Sequence, residues 1–395
     1  VGETTPTYDK LAQRWIAALD QELPAAVELR KELHANPRVS GEEQDTTDAV
    51  ASAMELDFKS LATTGGISRI GPQTGPSIAL RGELDALPVE EATGVGWASS
   101  NTAMHACGHD VHLAALVAVV RAAKRLELPY GLVPFLQPRE ETYPSGALDI
   151  KDSGAFATYG VAHAIGAHVH PDVPLGAVAS GEGFINAAAG EFIITVDGQG
   201  GHGAYPHKAN DVAVCVAHVV SGLSEIVRRT SNPMVPALIS VGSVQVGSSA
   251  ANVLAGKGTI KTTVRTSSSA AAQEIATAVQ GFVEHTAQAY GCTGDLEYLP
   301  GEPALINDEH LAANFAAVQG TLGLETGEPM RSLGADDFSF YGELVPSLMC
   351  FVGVGNGATP SLHDAQFLPP DSAVGYTAKA LIAGYLAAAR ALDVK

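Results

Sequence analysis

Basic residues are scarce in this chain: 23 Lys plus Arg stand against 43 Asp plus Glu over 395 residues, a formal charge of -20. Such a surface repels polyanions, which excludes nucleic acid and an anionic membrane as partners. A carboxylate-bearing substrate then needs a local cationic group to overcome the overall field. Long apolar runs are also missing. The longest, Leu113 to Val120, falls far short of the ~20 residues that span a bilayer. The four cysteines are scattered and form no disulfide framework. Cys215, in Val212-Ala213-Val214-Cys215-Val216, reads as a buried small hydrophobe, as do Cys292 and Cys350. The opening Val1-Gly2-Glu3-Thr4-Thr5-Pro6 has no basic flank followed by an apolar stretch. With the scattered thiols, this reads as a reducing, cytoplasmic setting. No G-x-S-x-G is present, which argues against a serine hydrolase, and there is no internal repeat.

What is present suffices for large cores, since 46% of residues are hydrophobic and 17% charged. At roughly 100–200 residues per domain, this length holds about two domains. Tyr8, Leu11, Trp15 and Leu19 recur at helical spacing, and Pro24 suits the first turn of a second helix reaching about Ala35. Short, nearly continuous apolar runs at Ile78–Leu80, Leu132–Leu136, Ala164–His168 and Met349–Val354 predict parallel strands covered on both faces. The expected class is therefore α/β with a mostly parallel sheet, over residues 1–183 and 298–395.

Between them, 184–297 changes character. Strands are predicted at Glu191–Asp197, Ala237–Val246, Thr259–Thr266 and near Asp295–Leu299, with helices over Asp211–Arg229 and Ala270–Tyr290. The order βαββαβ is that of an inserted α+β, ferredoxin-like unit. Ser267-Ser268-Ser269, directly before a helical stretch, reads as an N-cap rather than a linker.

The chemistry concentrates in His105-Ala106-Cys107-Gly108-His109-Asp110. Further candidates follow in Gln137-Pro138-Arg139-Glu140-Glu141, Gly166-Ala167-His168-Val169-His170-Pro171 and Ser361-Leu362-His363-Asp364. One Cys, three His and one Glu exceed a tetrahedral site, but suit two ions sharing ligands and a water. The donors would be Cys107, His109, Glu141, His168 and His363, with the adjacent Glu140 positioned to take a proton from the water. A thiolate in the set favours zinc; manganese, cobalt and nickel are the alternatives. Glu140, Glu141, His168 and His363 fall at or beyond the ends of predicted strands, where open α/β sheets bind their ligands. Asp85 reads either as a carboxylate orienting a ligand imidazole or as a turn residue. His112 is expected to orient or pack rather than to bind metal. His34, His163 and His170 are expected to be structural. Gly198-Gln199-Gly200-Gly201-His202-Gly203 matches a dinucleotide fingerprint literally, yet Pro206 interrupts the helix start such a fingerprint needs. It is better read as a Gly-rich turn presenting His202.

These motifs resemble the M20 family of metallopeptidases, in particular its amidohydrolase branch of aminoacylases, hippurate hydrolases and auxin-conjugate hydrolases. The resemblance runs from Leu29-Arg30-Lys31-Glu32-Leu33-His34-Ala35-Asn36-Pro37 and Glu42-Glu43 through Leu80-Arg81-Gly82-Glu83-Leu84-Asp85-Ala86-Leu87-Pro88 and the metal motifs. It continues through Gly200–His207, Ala251-Asn252-Val253 and Val264-Arg265-Thr266 to Asp336-Asp337-Phe338. Glu83 and Asp336 stand where the branch usually has Asp and Glu, and Arg38 where an acidic residue is common; none is a metal position in the family pattern. The resemblance implies Glu140 as base and Glu141 as ligand. It implies a lid and dimerisation domain over 184–297, a homodimer, and a His202 that reaches the partner's tetrahedral intermediate. Asn252 and Arg265 then bind substrate, Arg265 pairing with an amino acid carboxylate. The implied activity is metal-dependent cleavage of N-acyl-amino acids, with the overall likeness pointing to N-acyl-glutamine. A dipeptidase or hippurate-type hydrolase is the rival within the family; a nicotinamide oxidoreductase and an inactive scaffold are rivals outside it.

Overall fold

A computed structural model describes residues 5–393; Val1–Thr4, which open the segment read for a leader, lie outside the described residues. The chain divides into two compact units. One holds residues up to Gly183, with Ile306–Met330 and Asp337 onward; the other holds Phe184–Leu305 with Arg331–Asp336.

The first unit is built on an eight-stranded sheet. Its neighbours run in the order Lys59–Leu61, Gly65–Ile67, Gly131–Gln137, Ser77–Glu83, Val161–Pro174, Ser347–Gly355, Ala177–Ala179 and Glu325–Thr326. Gly131–Gln137, Ser77–Glu83, Val161–Pro174 and Ser347–Gly355 are mutually parallel. Every residue of Ser77–Glu83 and Gly131–Gln137 is buried, as the continuous apolar runs require. The helix His109–Ala123 packs on Thr5–Ala35, on Ser372–Asp393 and on Ser77–Glu83. All its residues except Arg121 are buried, which explains a sequence hydrophobic around its whole circumference.

Pro24 does not start a new helix. It lies inside a single helix, Thr5–Ala35, although an internal proline loses one hydrogen bond and costs about 3 kcal/mol. Apolar side chains on both sides of it, Trp15 and Leu19 before and Ala26 and Leu33 after, belong to one core cluster. Burial of that shared stripe, at about 1.5–3 kcal/mol for each large side chain, offsets the local cost and keeps the two halves in one helix.

The second unit has a four-stranded antiparallel sheet in the order Ala237–Val246, Lys257–Thr266, Ala188–Asp197 and Thr293–Pro300. With helices Val212–Thr230 and Ser269–Ala289 this is the ferredoxin-like βαββαβ arrangement. Pairing of Thr293–Pro300 carries the unit past 297, to Leu305. The caps lie where the sequence indicates: Asp211 accepts from Val214, and Ser268 from Ala271, each over 3.1 Å. The core joins Phe192, Ile194, Val196, Cys215, Val219, Ile260, Val279 and Val283. All four cysteines are free and buried. No helix among the described residues is long and apolar enough to cross a membrane.

Candidate metal centre

Pairing between Ser77–Glu83 and Val161–Pro174 stops at Leu80 opposite Ile165. His168 thus sits inside a long strand, not at its end as the apolar run suggests, but on a stretch no longer bonded to that neighbour. The ladder gap is filled by a side chain: the Val169 N–H donates to His112 Nε2 over 2.9 Å. Because Nε2 accepts, Nδ1 carries the proton and faces Glu83 Oε2 at 3.2 Å. His112 spends both ring nitrogens in this way, although Glu83, His109, His112 and His168 bring ligand atoms within 4.8 Å of one another.

Cys107 and His109 are set by the turn that starts helix His109–Ala123. Gly108 caps it with φ +86°, and a Cβ there would lie 2.4 Å from Val169 Cγ2; only glycine meets both constraints. His109 Nδ1 lies 2.8 Å from the main-chain oxygen of Asp85, whereas the Asp85 carboxylate stays 3.7 Å away. The imidazole is therefore oriented by the carbonyl of Asp85. Its carboxylate serves another residue, accepting from the N–H of Glu141 at 3.0 Å and from Ser40 Oγ at 2.7 Å. His168 Nδ1 likewise bonds the Val169 carbonyl at 2.7 Å, which leaves Nε2 3.4 Å from Cys107 Sγ.

Two triads overlap at Glu141. Cys107, Glu141 and His363 offer ligand atoms within 4.8 Å of one another, and so do His109, Glu140 and Glu141. His363 Nε2 reaches Glu141 Oε1 at 3.3 Å. His363 has φ +68°, a left-handed backbone costing a non-glycine residue about 1–2 kcal/mol, and its N–H is held by the Ala106 carbonyl at 2.9 Å. Glu140 Oε2 lies 3.7 Å from His109 Nε2. The five donors named from the sequence, and Glu140, are thus gathered in the first unit.

The electrostatics suit a cation. Burial, followed by the carboxylates of Glu141 and Glu140, pushes the Cys107 thiol well above its ordinary range. Burial likewise keeps His168 neutral, well below the usual imidazole value. The Glu141 hydrogen bond holds the His363 pKa up. Burial works against a charged His109, but Glu83, Asp85 and Glu141 outweigh it. His109 Nε2, though buried, has no hydrogen-bond partner, an expensive state for a polar atom. One sulfur, three imidazoles and shared carboxylates around that nitrogen fit two borderline-soft divalent ions.

In the second unit, His202 and Asn252 are brought together. The two-residue strand Gly201–His202 pairs with Val253–Leu254, with His202 opposite Val253, and the Gly203 N–H donates to the Asn252 carbonyl at 2.8 Å. Both side chains are exposed. Arg265 lies on the inner strand Lys257–Thr266, paired with Leu238 and Ala189. The glycine-rich turn leads into this ribbon and a short 3-10 turn at Pro206–Lys208, not into the long helix of a dinucleotide site.

Some site-forming residues carry no role in the sequence reading. Arg81 pairs with Glu83 at 2.8 Å, Asp337 accepts from Gln137 Nε2 at 2.8 Å, and Tyr341 donates to Gln137 Oε1 at 2.8 Å. The available signal is the pair of charges, Arg81 and Glu83, inside an otherwise apolar strand, since buried charges must be paired. His34 does more than pack: its Nδ1 lies 3.1 Å from Asp110, its Nε2 3.1 Å from Glu91, and Arg30 meets Asp110 at 2.9 Å.

Comparison with known proteins agrees with this geometry. A model of peptidase family M20/M25/M40 matches residues 79–391. The chain is 31% identical over 371 residues to an N-acetyldiaminopimelate deacetylase of Halalkalibacterium halodurans, covering 92% of this chain and 99% of that one. It is 32% identical over 359 residues to an N-acetylcysteine deacetylase of Bacillus subtilis, covering 88% and 92%. Among solved structures, a dinuclear metal-binding peptidase of the M20 family from Bacillus subtilis superposes with a TM-score of 0.81 at 26% identity, covering 93% of this chain and 98% of that one. The family match and these relatives make the chain a hydrolase acting on amides. The chain belongs to peptidase family M20/M25/M40.

Proposed function

We propose that the protein is a metal-dependent amidohydrolase that splits N-acyl-amino acids into a carboxylic acid and a free amino acid. The observation that carries this reading is the convergence of Cys107, His109, Glu141, His168 and His363, with Glu140 beside His109 and Glu141. In it, those five residues hold two ions, zinc being favoured by the thiolate over manganese, cobalt or nickel. Bound there, the metal pair supplies Lewis acidity for the water and the amide carbonyl. Glu140 Oε2 takes the proton of the attacking water and returns it to the leaving nitrogen as the C–N bond breaks. Arg265 pairs with the carboxylate of the amino acid half, Asn252 aligns the substrate, and His202 donates to the developing oxyanion. These three roles rest on the family resemblance. So does a homodimer joined through the second unit, which has a long strand, Ala237–Val246, at one edge of its sheet. The free, buried thiols support a cytoplasmic location.

Within this class we favour N-acyl-glutamine, on overall resemblance. N-acetyldiaminopimelate and N-acetylcysteine, named for the relatives, are the natural comparators. The test is a screen of metal-loaded protein against N-acyl-amino acids varied in both halves, with dipeptides and hippurate alongside, and with Glu140→Gln as control. Release of glutamine in preference to glutamate, cysteine and diaminopimelate supports the finer reading. Preferred cleavage of dipeptides overturns it in favour of a dipeptidase. A metal-replete Glu140→Gln is expected to lose turnover by ~10²–10⁴-fold, the usual worth of a general base; retained turnover removes Glu140 from the mechanism.

A further inference from the structure

Glu43 precedes the helix Gln44–Met54 and occupies its N-cap position, yet its side chain makes no capping bond. An acidic cap would ordinarily turn back to the helix amides. Here the carboxylate is fully buried and turned elsewhere. Its Oε1 accepts the N–H of Arg139 at 2.9 Å and its Oε2 accepts Thr64 Oγ1 at 2.8 Å. Thr64 is itself fixed, because its carbonyl accepts from Thr47 Oγ1 at 2.6 Å.

The place where that N–H is held is informative. Strand Gly131–Gln137 ends two residues earlier, and Pro138 has no N–H, so Arg139 offers the first amide beyond the sheet. Arg139 has φ +51°, a left-handed conformation that a non-glycine residue keeps only when its surroundings impose it. Two residues on, the N–H of Glu141 goes to Asp85 Oδ2 at 3.0 Å. Glu140 therefore lies between two amides, each taken by a buried carboxylate from a different part of the chain. A glutamate with a held amide on either side, one on the preceding residue and one on the next, can be aimed far more narrowly than one on an open loop, and narrow aim is what a proton-transferring group needs.

We propose that Glu43 is a positioning residue for amide cleavage: by holding the Arg139 N–H it imposes the left-handed turn that directs Glu140 at the reacting atoms. This rests on Glu140 being the base. The role belongs to the hydrogen bonds rather than to the charge of Glu43, and the two contributions can be separated. A glutamine at 43 keeps an oxygen to accept from Arg139 and an amide N–H₂ to donate to Thr64 Oγ1. An alanine keeps neither.

The experiment measures kcat, KM, metal content and thermal midpoint for the metal-loaded full chain and its Glu43→Ala, Glu43→Gln, Thr64→Val and Glu140→Gln variants. Expected for Glu43→Ala is a kcat lower by roughly 10–100-fold, the scale of an ångström-level misplacement, with KM and metal content unchanged. Glu43→Gln should restore most of kcat, and Thr64→Val should lower it by a smaller factor. The proposal is overturned if Glu43→Ala keeps wild-type kcat while Glu140→Gln is inactive. It is equally overturned if glutamine is no better than alanine, or if kcat and metal content fall while KM rises, as a purely structural role requires. Should Glu43→Ala fail to fold, Thr64→Val decides, and an unchanged kcat there rejects the proposal. An active Glu140→Gln instead brings down the base assignment, and this proposal with it.

Discussion

Cys107 Sγ and His168 Nε2 lie 3.4 Å apart although 61 positions separate them in the chain. One comes from the turn before a buried helix, the other from a strand whose pairing with one neighbour has just ended. Ligand atoms of Glu141 and His363 lie near Cys107, and one of His109 lies near His168. Each imidazole nitrogen on the far side is already bonded to a carbonyl, at 2.8 Å for His109 and 2.7 Å for His168. The tautomers are thereby set, with Nε2 left as the donor atom toward a metal.

Removing these donors should remove metal before it removes fold. Cys107→Ser and His168→Ala are expected to lose at least one equivalent by elemental analysis, and activity with it. Chelation of the wild type should have the same effect. It should also lower the thermal midpoint, since anything that binds only the folded state stabilises it; zinc or manganese should restore both. Full metal content in both variants would refute the ligand assignment.

Arg265→Ala should raise KM by about 10–100-fold, the worth of a hydrogen-bonded charge pair at about 1.5–3 kcal/mol. Converting the substrate carboxylate to its amide should do the same in the wild type and add little in the variant. If amides are cleaved as well as acids, Arg265 is not the carboxylate anchor.

Mixed dimers test the proposed sharing of His202 between subunits. Glu140→Ala and His202→Ala, co-expressed with different tags, should each be inactive alone. If the proposed dimer shares His202 across subunits, the subunit that keeps Glu140 should receive an intact His202 from its partner, and one site in two should work. Inactive mixed dimers, shown to be dimeric and metal-loaded, would establish that His202 acts in its own chain.

His34 gives a pH prediction. Burial opposes its charge, but Asp110 and Glu91 outweigh burial and raise its pKa above the ordinary 6.5. A raised folded-state pKa means that the unfolded chain releases the proton first. The stabilisation is complete below pH 6.5 and is lost as the pH rises through the higher folded value. Thermal midpoints of wild type and His34→Gln should therefore differ most on the acid side and converge on the alkaline side. A constant difference would show that His34 contributes by packing alone.

Much of this was written into local pattern. The alternation and caps of 184–297 specify a ferredoxin-like unit because strand period, helix period and capping are local properties, and Asp211 and Ser268 cap where their sequence context places them. The candidate cluster was legible too: Cys107-Gly108-His109 and Glu140-Glu141 stand out by residue type, and the fold brings them together. Long-range packing decided the rest. A shared apolar stripe on the core carries helix Thr5–Ala35 through Pro24, against the local rule. Loss of pairing beyond Ile165 opens the space where the imidazoles gather, and His112 rather than a strand supplies the missing bond. Asp85 orients His109 through its carbonyl while its carboxylate holds Glu141. Glu43 leaves its own helix uncapped to hold Arg139. A residue's type limits which atoms it can offer. Which atom is used, and to which distant partner, depends on the burial and direction that only the folded chain imposes.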